Sequence, residues 1–209
     1  MKIKVLHIVG GSMSNGAFIG SKILHNALIN HNLDSKILSD AIFKKEINEK
    51  NNDKIIFINQ KFYIRFLNTL FVTFEKIIKS IFLHSPRETF NICMFGFDLT
   101  KFTEYKDADI IHIHWLNQGF VKLKCLSKIN KPVVWTMRDM WAFNGGPHYT
   151  MDFKDYEKTF LSEFLKKYKK KNYNHNFNFV AVSKWLMNEA QKSNVLKNFN
   201  ITHIPNNIN

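Results

Sequence analysis

The chain has 209 residues, 45% of them hydrophobic, and a formal net charge of +13 from 30 Lys and Arg against 17 Asp and Glu. That length holds one good-sized domain or at most two small ones, and that apolar content excludes global disorder. The charge favours anionic partners (nucleic acid, anionic lipid or a phosphorylated substrate) without choosing among them. The two cysteines, Cys93 and Cys125, exclude a disulfide framework or a cysteine-rich zinc site.

The opening MKIKVLHIVGG has too short an apolar run for a signal peptide, and no stretch holds 18 uncharged apolar residues. A cytosolic chain is therefore expected. Ile3–Val9 reads as a strand ending at Gly10-Gly11, and Ala17–Ile29 repeats its apolar residues at helical spacing. The loop between them is neither a Walker sequence nor a GxGxxG fingerprint. It serves either as a tight turn using its glycines for backbone freedom or as an anion site at the helix start. Asp34–Leu38 and Lys54–Ile58 read as strands on either side of a charged loop reaching Asp53. Lys61–Leu83 reads as a long amphipathic helix with an apolar stripe from Phe62 to Phe82, and with Lys61, Arg65, Lys76 and Lys79 beside it. A stripe of this kind packs on a sheet or lies on a membrane surface; the sheet is expected here.

Asn91–Phe95 is a short apolar run. Ile110–Ile113 and Val133–Thr136 are strand-like, with a short helix over Gly119–Ile129 between them and Pro132 opening the second strand. A long aromatic loop, Asp139–Asp152, precedes a helix over Lys154–Lys171. That helix ends in a basic run with Lys166, Lys167, Lys169, Lys170 and Lys171, either a solvated face or a contact for anionic lipid headgroups. Phe177–Val182 is a strand, Ser183 a cap, Lys184–Gln191 a helix and Ile201–Ile204 a last strand. The alternation predicts one doubly wound α/β domain over 1–209: a mostly parallel sheet with helices on both faces.

Chemistry in such sheets collects beyond the carboxyl ends of the strands. His114, Trp115 and Asn117 follow one central strand, and Arg138, Asp139, Trp141 and His148 follow the next. His112 and His114 share a strand face. A metal needs further ligands, and His7, Asp139 and His148 stand far off in sequence, so no metal is expected. One histidine should pack in the strand while His114 reaches the cleft as donor or base. Arg138-Asp139 could grip a phosphate or sugar hydroxyl or pair internally, and Trp115, Trp135 and Trp141 suit either core or stacking on sugar rings.

Taken together, VLHIVGGSMSNGAF, DIIHIHWLNQGF, KPVVWTMRDMWAFNGGPHY, FVAVSKWLMNEA and ITHIPNNIN resemble the N-terminal domain of family 4 glycosyltransferases. Within that family the resemblance is to the branch making colanic-acid-type surface polysaccharides. It implies a Rossmann-like, acceptor-binding half of a GT-B fold and a retaining, metal-independent transfer without a cofactor. It places Gly10, Gly11, Asn15 and Gly16 toward the diphosphate of a nucleotide-sugar donor. His114, Arg138 and Asp139 take catalytic positions, and Trp115, Asn117, Trp141 and His148 bind substrate. The implied acceptor is a glycan or a lipid-linked sugar, at the inner face of the cell membrane if the basic run touches lipid; nucleic acid is not implied.

Three departures stand out. Arg138 occupies a place where the family often has histidine, and arginine cannot act as a base. Pro147 interrupts a GGCHY-like pattern, and the cysteine-containing segment that usually follows it is missing. The sequence ends near the expected hinge, residues 204–209, so the donor domain is expected to come from elsewhere, for instance a separate chain. The alternative is a non-catalytic module that holds a glycan, an anionic lipid or a partner.

Overall fold

A computed structural model of the chain describes residues 2–41, 54–58, 62–82, 89–149 and 156–206. Seven strands form one sheet: β1 (Lys4–Val9), β2 (Asp34–Ser39), β3 (Ile55–Phe57), β4 (Ile110–Trp115), β5 (Val133–Met137), β6 (Phe177–Ala181) and β7 (Asn200–His203). Their order is β3-β2-β1-β4-β5-β6-β7, and every pairing is parallel. Parallel strands need crossovers and cover on both faces, which is why these strands read as nearly continuous apolar runs. The order reverses between β1 and β4, so the crevice of this fold opens beyond Val9 and Trp115.

Helix α1 (Gly16–Asn30) starts where the Asn15 side chain accepts the Phe18 N–H at 2.7 Å. It covers one face, where Phe18 joins Val9, Ile37, Ile55 and Phe57. On the other face a larger core gathers Leu6, Ile8, Ile111, Ile113, Trp135, Phe177 and Phe179. That core is closed by a 3-10 turn (Leu123–Lys128) and by α5 (Lys184–Lys192), whose Leu186 and Ala190 reach into it. Helix α4 (Phe160–Asn172) packs on the same turn, and Thr159 caps it by accepting the Ser162 N–H.

Several elements differ from expectation. The segment expected to be helical over Gly119–Ile129 tightens into 3-10 geometry, with the Cys125 N–H on Lys122 O and the Ile129 N–H on Leu126 O. The apolar run Asn91–Phe95, to which the sequence assigns no element, is irregular: Cys93 takes a left-handed φ of 50° and gives its N–H to Glu75. A short helix, α3 (Thr103–Asp107), precedes β4.

Helix α2 (Phe62–Phe82) forms, but its stripe is not core. Phe66 is 56% exposed, Leu70 48% and Ile77 51%, while the side chain buried most deeply on this helix is Glu75 at 3%. Ile64, Asn68, Phe71, Val72 and Ile78 are half-buried and share its side, so the helix rests on a mixed face and leaves the apolar one open. Most of the charged loop through Asp53, the positions Lys61, Leu83 and Asp152, and the last hinge residues lie outside the described residues.

Candidate functional site

Strand pairing builds the site. His7 on β1 lies opposite His112 on β4, so three histidines meet beneath α1. His7 was expected to be distant, because nothing in the linear order announces that β1 and β4 are neighbours. The His112 and His114 rings stack at 4.2 Å and 21°, and His7 Nδ1 lies 3.0 Å from His114 Nε2. Arg138 Nη1 reaches His114 Nδ1 at 3.2 Å, and His112 Nε2 reaches Thr136 Oγ1 at 2.8 Å.

Since arginine only donates, His114 accepts on Nδ1, so its Nε2–H donates to His7. That leaves the remaining His7 N–H, on Nε2, buried without a partner. Burial holds His7 and His114 well below the usual histidine range and His112 at about 4. His114, buried and bonded on both nitrogens, lines the crevice as the acceptor of the Arg138 hydrogen bond, with neither nitrogen left open toward a substrate.

The three rings form the group of possible ligands whose atoms lie within 4.8 Å of one another among the described residues. The neighbouring charge is the cation of Arg138, and no carboxylate belongs to the group. The rings form a hydrogen-bond column, His112 on Thr136 and His7 on His114, which in turn accepts from Arg138.

A second network lies on the far side of β5. Asp139, half-buried, accepts the Trp141 N–H at 2.9 Å on one oxygen and His148 Nδ1–H at 2.7 Å on the other. His148 Nε2 faces Asn91 Oδ1 at 3.0 Å and Asn117 Nδ2 at 3.2 Å. Asn91 donates to Glu75 at 2.9 Å, Glu75 also accepts the Cys93 N–H at 2.7 Å, and Cys93 Sγ donates to Asn117 Oδ1 at 3.2 Å. Burial raises the Glu75 carboxyl above its usual range. With its Nδ1–H given to Asp139, His148 accepts from Asn117 Nδ2 on Nε2.

The structure brings most of the expected residues together, though not all at the surface. Trp115, Arg138 and Asp139 are half-buried at the strand ends, whereas Asn117 and His148 are inside. Trp141 is 2% exposed: its indole N–H donates to Asn91 O at 2.8 Å, and the Lys169 ammonium sits 3.7 Å from its ring centre. That ring face is taken, whereas Trp115 is half-buried with its ring tilted beside His148.

Lys169 is likewise not a lipid contact. It is fully buried and donates to the carbonyls of Trp141 and Asn144. Its position follows the buried face of α4, through Ser162, Leu165 and Asn172. Burial lowers it to about 7. Lys166 pairs with Glu163, and Lys167, Lys170 and Lys171 remain exposed.

The glycine loop satisfies itself. The Gly11 N–H donates to Asp40 at 2.8 Å, Asn15 caps α1, and Gly16 is exposed. A side chain at Gly10 would strike Phe120 at 2.9 Å, and one at Gly11, with φ of +84°, would strike Trp115 at 2.5 Å. Both glycines thus serve close packing as well as the turn. Burial raises Asp40 to about 7. Asp40, Glu75, Asn91 and Lys169 were not foreseen as part of the site. Glu75 had a signal, being the single acid between Phe62 and Phe82.

The crevice lined by His114, Trp115, Asn117, Arg138, Asp139 and Trp141 has a volume of about 10 Å³, too small for a sugar. A wider groove of about 490 Å³ runs between α4 and α5, with Lys166–Glu163 and Lys192–Glu189 paired in its wall beside Glu157, Lys167 and Lys170. Convergent chemistry marks the strand ends as the site, and volume does not.

No curated protein matches the sequence. The chain is similar in structure to a glycosyltransferase from Rickettsia africae ESF-5, with 15% identity and a TM-score of 0.49. The match covers 100% of this chain and 44% of that one, so the chain spans less than half the length of that structure. The profile of Glycosyltransferase Family 4 matches residues 68–209. Strands β4 to β7 and the network from Glu75 through His148 to Asp139 all fall within that span, and the chain belongs to Glycosyltransferase Family 4.

Proposed function

We propose that this chain is the acceptor-side half of a two-domain GT-B glycosyltransferase. It takes part in moving a sugar from a nucleotide-sugar donor to a glycan or lipid-linked acceptor in surface polysaccharide assembly. The observation that carries the reading is Asp139, a half-buried carboxylate held by Trp141 N–H and His148 beside the Arg138 cation at the carboxyl end of β5. Such a carboxylate is oriented before substrate arrives and can accept a hydrogen bond from an acceptor hydroxyl.

Arg138 stays protonated although burial lowers it. It orients an oxygen or stabilises negative charge as the donor diphosphate leaves. His114 fixes the guanidinium in place, and His148 fixes the carboxylate. The crevice closes on substrate when a donor-binding domain, on the same or another polypeptide, supplies its second wall.

The test is transfer from a panel of nucleotide sugars to a membrane lipid extract, with the chain alone and with a donor-binding domain added. Transfer that needs both parts is the expected result. Failure of transfer and of donor hydrolysis in every combination would leave only a binding module.

A further inference from the structure

We propose that the open apolar flank of α2 is a docking surface for an anionic lipid bilayer. Phe66, Leu70, Phe74, Ile77 and Ile81 recur at helical spacing, and each is between 44% and 62% exposed. The patch continues off the helix onto Phe95, whose ring meets Phe74 edge-on at 4.9 Å and is itself 39% exposed.

Charge selects the occupant. The exposed charged side chains of α2 are Arg65 and Lys76, and its acid, Glu75, is turned inward. A second copy of a chain carrying +13 would bring those cations against their own kind. Nucleic acid would leave the apolar flank unpaired. An anionic bilayer answers both features, taking the apolar side chains below the headgroups and the cations among them. No helix among the described residues is long and apolar enough to cross a membrane, so α2 lies along the surface.

The inference deepens the transferase reading, because a lipid-linked acceptor would then meet the crevice at the membrane. It is tested without any transfer, by flotation of the chain with vesicles of phosphatidylcholine, with and without phosphatidylglycerol. Flotation with the anionic vesicles only is expected. Phe66→Gln combined with Leu70→Gln should abolish it, and Arg65→Gln combined with Lys76→Gln should lower it roughly 30-fold. The second pair probes the same surface without touching its apolar side chains.

Unchanged flotation of both double variants would overturn the proposal, as would self-association in sedimentation that the apolar pair removes. A failed flotation with transfer to a water-soluble acceptor intact would sink this inference alone. Flotation without any transfer would sink the transferase reading alone.

Discussion

Removing the carboxylate of Asp139 and removing the ammonium of Lys169 probe different things. Asp139→Asn keeps the shape and the Trp141 contact but loses the charge. It should cut transfer about 100-fold or more with little change in melting temperature, as steady-state kinetics and a thermal scan would show. Lys169→Met strips the carbonyls of Trp141 and Asn144 of their donor, costing about 2 kcal/mol.

That cost should depend on pH. An unfolded lysine titrates near 10.5 and this one at about 7. Between those values the unfolded chain holds the extra proton, so the contribution of Lys169 to stability is full above 10.5 and is lost as pH falls to about 7. Urea unfolding should show Lys169→Met hurting more in alkali than at neutrality.

The histidines act in acid. Their folded values lie below 6.5, so their contribution is full above 6.5 and is lost as pH falls toward about 4, where His112 titrates. Asp40, raised from 3.8 to about 7, contributes in the opposite sense, its share being lost as pH rises toward 7. An Asp40→Asn background should therefore show the acid loss most cleanly in urea midpoints taken across that window. The spacing of α4 already pointed Lys169 inward, but its basic neighbours drew the reading outward. The meeting of His7 with His112 required a strand pairing that no local pattern specifies.

Helix α2 joins a mobile-chemistry question to a packing one through a single buried side chain. Glu75 holds the Asn91 amide and the Cys93 N–H, and Asn91 in turn faces His148. Glu75→Ala leaves both donors buried and unpaired, at about 2 kcal/mol. It should speed amide exchange along α2, measured by mass spectrometry, and should lower transfer by releasing His148. The existence and length of this helix were plain from periodicity. Which side it buries was not, since an apolar stripe ordinarily marks core and here the polar contacts to Asn91 and Cys93 set the inward face. The loop from Asp139 to Tyr149 is braced in turn by close approach. A side chain at Gly145 would stand 2.6 Å from the Ser162 Cα on α4, and one at Gly146, with φ of +126°, would stand 2.3 Å from the Phe90 ring. These contacts, with the Lys169 hydrogen bonds to Trp141 and Asn144, support the loop.

The alternation of strands and helices was enough to predict a doubly wound sheet, and the strand ends were enough to locate the crevice. The order of the strands was not in the pattern, because pairing energy depends on neighbours that only the folded chain supplies. That order has a temporal side. Strand β1 sits inside the sheet, next to its central strand, and bonds β2 on one edge, made soon after it, and β4 on the other. The Lys4 N–H bonds the Asp109 carboxylate, 105 residues later in the chain. During synthesis the first strand is thus half-sheltered, its second edge open for the whole interval in which α2, with its uncovered flank, leaves the ribosome. Edges of this kind invite pairing with other chains, and parallel sheets close slowly. The growing polypeptide is therefore a natural client for chaperones until β4 arrives to seal the centre.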